Sequence, residues 1–218
     1  MTLALFDLDN TLIGADSDYL WGEFLVARQL VDVEAYQKTN HAFYQDYTNG
    51  VLDAAAYLRF ALAPLAEFEP SKLQELHAEF MRECIEPIWL SAAETLVEKH
   101  RSEGHQIIVI TATNRFIVEP IVQRFGIDEL ICPEPEIQNG RYTGNFIGST
   151  CFAEGKVEKM AIWLQKNNAS LEEGSWFYSD SHNDLPLLGK VTNPVAVDPD
   201  SKLSSIAKER NWPIISLR

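Results

Sequence analysis

The stretch FDLDNTL sets two carboxylates, Asp7 and Asp9, two residues apart directly after the apolar run TLALF. If the chain stays extended across them they project in related directions, so one could attack an electrophile while the other moves protons. The same spacing also suits an acidic turn at a strand end, because Asp and Asn are common turn residues. A second acidic pair, Asp180 and Asp184 in YSDSHNDLPLL, again follows an apolar run and opens a helical pattern. Several aspartates at one edge with no counterion would repel one another. Hard Mg²⁺ is satisfied by one or two such carboxylates together with phosphate oxygens and water. Thr111, in IIVITATN, could donate its hydroxyl to a phosphate oxygen alongside the amides that follow it from Ala112 onward, or simply cap the next turn. Lys156, in FAEGKVEKM, stands at the start of a helical pattern, where a cation opposes the helix dipole unless an anion lies near. A solvated surface lysine is the other reading. The GK pair is not a P-loop, since Thr150 replaces its first glycine and Val157 its Ser or Thr.

Gathering these residues requires particular elements. TLALF reads as a buried strand that delivers Asp7 to its carboxyl end. From about Asp16 to Ile88 the spacing is helical throughout, as in YLWGEFLVARQL, AAAYLRFALAPL and LQELHAEFMREC, and predicts an all-helical insertion. Helices and short apolar runs alternate afterwards. AAETLVEKHRSEG predicts a helix closed by Gly104, QIIVITA a buried strand, FIVEPIVQRFG a helix with an interior proline, and ELIC a strand. NGRYTGNFIG predicts a hairpin. EGKVEKMAIWLQKN, NDLPLLGK and KLSSIAKERN follow as helices, interleaved with SWFYSDS, PVAVD and PIIS as strands. Such alternation implies an α/β fold with a parallel sheet covered on both faces and right-handed crossovers. Ligands of these sheets bind at the carboxyl ends of the strands, where Asp7, Asp9, Thr111, Asp180 and Asp184 are expected.

Composition narrows the partners. A formal charge of −14 over 218 residues repels nucleic-acid backbones and anionic lipid surfaces. The opening MTLALFDLDN meets an aspartate at its seventh residue, which does not suit a signal peptide, and no apolar run reaches membrane-spanning length. Cys84, Cys132 and Cys151 are odd in number and widely spaced, so a reducing cytoplasm is expected.

Taken in order, DxDNT, a strand-end Thr, GK and DxxxD resemble the haloacid dehalogenase superfamily of phosphohydrolases along essentially the whole chain. The insertion between the first two motifs is similar to the cap of the phosphoserine phosphatase-like branch. The resemblance implies a Rossmann-like core of residues 1–15 and 89–218, a helical cap of residues 16–88, and phosphate ester hydrolysis through a phospho-aspartyl intermediate. It implies that Asp7 is the nucleophile and Asp9 the general acid and base. Thr111 and Lys156 would hold phosphoryl oxygens, with Asn183 nearby. Mg²⁺ would sit on Asp7, Asp180, Asp184 and the Asp9 carbonyl. A phospho-acceptor switch, a phosphotransferase and a metal-free dehalogenase are alternatives.

Substrate choice is expected of the cap. Asp16 and Asp18 could pair with a substrate amine, although one of them also suits a helix N-cap. Arg59 could meet a carboxylate or lie solvated. ATN after the second motif replaces the glycine pair of phosphoserine phosphatases. With DSDYLWGEFL and ATNRF, the chain looks similar to bacterial relatives that include histidinol-phosphate phosphatases. Trp21, Phe24, Phe43 and Tyr44 could suit an imidazole, although such aromatics are more often core. His182 is expected on the rim, since Mg²⁺ prefers oxygen.

Overall fold

The structure, a computed structural model, describes residues 2–218. Its strands, in chain order, are β1 (Leu3–Phe6), β2 (Gln106–Ile110), β3 (Glu129–Ile131), the hairpin β4 (Glu134–Gln138) and β5 (Arg141–Ile147), β6 (Trp176–Ser179), β7 (Asn193–Val197) and β8 (Ile214–Ile215). All but the hairpin form one six-stranded sheet in the order β3-β2-β1-β6-β7-β8. Every pairing in it is parallel. Period-two alternation along β1 sends Leu3 and Leu5 into one apolar cluster and Ala4 and Phe6 into the other, so both faces are covered. Strand order runs outward in both directions from β1, and the resulting crevice lies beyond the carboxyl ends of β1 and β6.

Between β1 and β2 come only helical elements: α1 (Ser17–Ala27), α2 (Val33–Asn49), α3 (Ala54–Leu62), α4 (Pro70–Phe80), short 3-10 and π turns, and α5 (Ser91–Ser102). Aspartates cap three of them. Asp16 accepts from the Tyr19 amide, Asp32 from Ala35, and Asp53 from Ala55 and Ala56. The two ends of the helical segment meet where Ile13 and Trp89 form an antiparallel bridge and the Gly14 amide donates to Ile88 O at 2.8 Å. Trp21 and Phe24 of α1 pack with Phe80 of α4 in the same core as the sheet, at ring distances of 5.2 and 5.6 Å. They are core residues, so of the two readings of these aromatics the core one holds for Trp21 and Phe24. By contrast α2 buries only Asn40.

The hairpin turns at Asn139 and Gly140, both with positive φ, as a two-residue loop requires. It leans on the helical segment. A Cβ on Gly144 would lie 3.4 Å from Ala63 Cα, Arg141 pairs with Glu69, and the Arg59 guanidinium lies 5.4 Å from the Phe146 ring centroid. The remaining helices are α6 (Arg115–Arg124, with Pro120 inside), α7 (Glu154–Asn167), α8 (Leu185–Leu188) and α9 (Ser201–Glu209). Among the described residues no helix is long and apolar enough to cross a membrane.

Candidate active site

β1 ends at Phe6, and the Asp7 amide continues its ladder by donating to Tyr178 O at 3.0 Å. This fixes the backbone of Asp7 at the mouth of the crevice. Its Oδ1 accepts from Lys156 Nζ at 2.7 Å, and the same ammonium donates to Asp184 Oδ2 at 2.7 Å. Asp184 Oδ2 also accepts from Ser179 Oγ at 2.7 Å. All three charged side chains are buried. Burial raises the Asp7 carboxyl to about 7, with Asp184 and Asp9 adding to the rise and Lys156 opposing it. Burial alone would lower the Lys156 ammonium, but Asp184 and Asp7 outweigh it and hold its pKa above the ordinary lysine value.

Lys156 reaches this position because of the residue before it. A Cβ on Gly155 would lie 2.7 Å from Thr150 O, closer than a side chain tolerates, so only glycine lets the first turn of α7 close onto the 150 loop. The cation at a helix start is thus answered by two carboxylates.

Asp9 faces another wall. The chain leaves the extended form after Asp7: Asn10 takes a φ of +57°, and the Leu12 amide returns to Leu8 O at 2.8 Å. Asp9 Oδ2 accepts from Thr113 Oγ1 at 2.8 Å and Thr111 Oγ1 at 3.3 Å, while Oδ1 accepts from the Ser17 amide at 2.7 Å. Thr111 therefore turns its hydroxyl toward Asp9, and it also accepts from the Thr113 amide at 3.2 Å. Thr113 was not anticipated, although its place two residues after Thr111 on the same loop was legible.

Asp7, Asp9, Thr111, Ala112, Lys156, Asn183 and Asp184 line one cavity, with about 790 Å³ free of atoms including the solvent at its mouth. Its opposite wall comes from α1, α2 and α3: Asp16 and Asp18, with Phe43, Tyr44, Tyr47 and Tyr57. Burial, then Asp9, raises Asp16 to about 7. Burial, then Asp16 and Asp9, raises Asp18 well above the usual carboxylate range against a hydrogen bond from Tyr57. Asp18 Oδ1 has no partner. Lys156 is the only Lys, Arg or His among the lining residues. Tyr47 and Tyr57 were not anticipated, because tyrosines at helical spacing read as core. Arg59 does not line the cavity and instead lies over Phe146.

Asp180 stands at the edge of this arrangement. Its Oδ1 accepts from Thr11 Oγ1 at 3.3 Å, and burial, Asp7 and Asp184 raise its carboxyl well above the usual range. It lines a neighbouring depression with Tyr47, His182 and Asp200. His182 Nδ1 pairs with Asp200 Oδ2 at 2.7 Å, in keeping with a rim position. Asn183 Nδ2 donates to Tyr47 O at 3.3 Å, so it also ties α2 to the sheet side of the cavity. Lys156 pairs with Asp7 and Asp184, Asp180 beside them has no ion-pair partner among the described residues, and this excess of carboxylate oxygen fits a hard divalent ion. They are not drawn tightly together, however. Among the described residues, three His, Cys, Asp or Glu ligand atoms lie within 4.8 Å of one another only at His100, Glu103 and His105.

Residues 4–189 match the family model of haloacid dehalogenase-like hydrolases. A histidinol-phosphatase of Neisseria meningitidis serogroup C (strain 8013) is 45% identical over 219 residues, covering 99% of each chain. A crystal structure of a protein of unknown function from Bordetella pertussis Tohama I superposes with a TM-score of 0.93 at 40% identity, covering 100% of this chain and 99% of that one. A phospho-aspartyl intermediate analogue of phosphoserine phosphatase shares the fold, with a TM-score of 0.69 at 20% identity over 99% of this chain and 93% of that one. The chain belongs to the haloacid dehalogenase-like hydrolase family and is one of its phosphatases.

Proposed function

We propose that this phosphatase is Mg²⁺-dependent and hydrolyses a small phosphate monoester bearing an amine, histidinol phosphate first among candidates, through a phospho-aspartate on Asp7. The observation that carries this reading is the cavity itself. A carboxylate held 2.7 Å from a buried ammonium lies opposite a wall of two further carboxylates and several aromatic rings. A substrate carboxylate would find no free cation there, since Lys156 is already engaged by Asp7 and Asp184. This disfavours phosphoserine. An amine would meet Asp18, and an imidazole the rings of Phe43 and Tyr44. The substrate of the Neisseria relative, by its name, agrees.

In the proposed chemistry Asp7 attacks phosphorus, the ester P–O bond breaks, and Asp9 gives its proton to the leaving alkoxide. A water then loses a proton to Asp9 and attacks phosphorus, the P–O bond to Asp7 breaks, and phosphate departs. Lys156 steadies Asp7 and faces the equatorial oxygens, with Thr111 and the Ala112 amide beside it. Asp7, Asp180 and the Asp9 carbonyl would hold Mg²⁺. Asp184, whose Oδ2 already accepts from Lys156 and Ser179, is assigned to positioning Lys156. The ion when bound would neutralise charge on the transferring phosphoryl group. Residues 16–88 act as a cap over a core of 1–15 and 89–218, and three free cysteines support a reducing, cytoplasmic setting.

The test is turnover of a panel of esters, including histidinol phosphate and phosphoserine, with Mg²⁺ and with chelator. Histidinol phosphate should be preferred, chelator should abolish turnover, and Asp7→Asn should lower kcat at least 10³-fold. Activity surviving both chelator and Asp7→Asn would end the proposal. Preference for phosphoserine would end only the substrate assignment.

A further inference from the structure

At the amino end of the sheet α5 gives way to β2 through a tight turn. Gly104 takes a φ of +74° with open space at its Cβ position, and the chain folds His105 back over the last turn of α5. His100 Nδ1 and His105 Nδ1 then lie 2.8 Å apart, and Glu103 Oε2 is 3.7 Å from His105 Nδ1. We infer that His100, Glu103 and His105 form a second metal site, one for a borderline divalent ion such as Zn²⁺, separate from the proposed Mg²⁺ site.

Four observations support it. First, one ligand atom from each of the three residues lies within 4.8 Å of the others. A tetrahedral zinc with N and O ligands at about 2.0–2.1 Å sets them about 3.3 Å apart. From 2.8 Å the two nitrogens need part by only about half an ångström, and from 3.7 Å the carboxylate needs to close on His105 by a similar amount. Second, His100 is oriented from behind. Its Nε2 meets Tyr178 Oη at 2.8 Å, the outer contact that fixes a ligating imidazole and leaves Nδ1 for the ion. Third, His100 is packed among Phe6, Trp176 and Tyr178, at ring distances of 5.4 to 5.7 Å. Fourth, Glu103 is exposed and His105 partly so, which gives an ion a path in and leaves a position for water.

Without the ion, the two Nδ1 atoms must share a proton in a hydrogen bond. With it, that proton moves to Nε2 of His105 and both Nδ1 atoms ligate. Imidazole-rich sites favour Zn²⁺, Ni²⁺ or Cu²⁺ over Mg²⁺. None of the three ligands lines the cavity that holds Asp7, so the ion braces the α5–β2 turn against β6 and takes no part in hydrolysis.

The test titrates Zn²⁺ calorimetrically into the chelator-stripped chain held in saturating Mg²⁺, beside His105→Gln and Glu103→Gln. Both substitutions sit on the surface turn and leave the core intact. Wild type should bind one more equivalent than His105→Gln, Glu103→Gln should bind it at least tenfold more weakly, and Zn²⁺ should raise Tm most in wild type, less in Glu103→Gln and not in His105→Gln. Both variants should keep Mg²⁺-dependent turnover. Equal stoichiometry in wild type and His105→Gln overturns the site, and so does unchanged affinity in Glu103→Gln.

Discussion

Asp18 is buried with one carboxylate oxygen unpartnered, beside Asp16 and Asp9 and under the Tyr57 hydroxyl. A buried, unpaired charge lowers stability, so here stability is set against ligand binding. Its folded-state pKa is raised, so its favourable contribution is complete below the unfolded value of about 3.9 and is lost as pH rises from there. Asp18→Asn removes that dependence. In urea unfolding, the variant should match wild type near pH 4 and exceed it by about 1–2 kcal/mol at pH 8. The same substitution should raise KM for an amine-bearing ester at least tenfold while leaving neutral esters alone. A stability difference between variant and wild type that is the same at both pH values would show that the carboxylate is not strained. Lys156 was legible in the sequence because a cation at a helix start breaks a local rule, and Asp7 because DxD stands first in an ordered set of four motifs. Tyr47 and Tyr57 break none, and nothing in their spacing separates a cavity wall from a core.

Elements were legible where a pattern repeats. Apolar runs marked the strands, 3.6-residue spacing the helices, and Asn139–Gly140 the hairpin turn. What the period could not convey is which element leans on which. The hairpin's seat against α3 depends on contacts between stretches about 80 residues apart, and this is why Arg59 faces Phe146 and not the cavity. Gly155 shows an element acting on chemistry through its backbone. Gly155→Ala places a methyl 2.7 Å from Thr150 O, so α7 must retreat and carry Lys156 from Asp7. Expected are a kcat reduced by about 10- to 100-fold and a stability loss of about 1–3 kcal/mol. Near-normal turnover in Gly155→Ala would mean that the 150 loop yields more readily than its packing implies.

Across the whole molecule, the cavity is closed by contacts from the end of α2 to the segment after β6 and to the first turn of α9. Asn183 reaches Tyr47 O at 3.3 Å, Lys202 reaches Asn49 O at 3.5 Å, and a Cβ on Gly50 would come within 3.0 Å of His182 Nε2. Gly50 also has a φ of +74°. Gly50→Ala is strained by about 1 kcal/mol or more and pushes this end of α2 outward, so KM should rise roughly threefold to tenfold with kcat little changed. A change in kcat alone would count against closure. Because α2 buries only Asn40 along its seventeen residues, little apolar contact resists its local opening. In deuterium-exchange mass spectrometry its amides should therefore label well before those of β1 or β2, and a non-hydrolysable phosphonate in the cavity should slow them selectively, so that the helix reports occupancy by its own breathing.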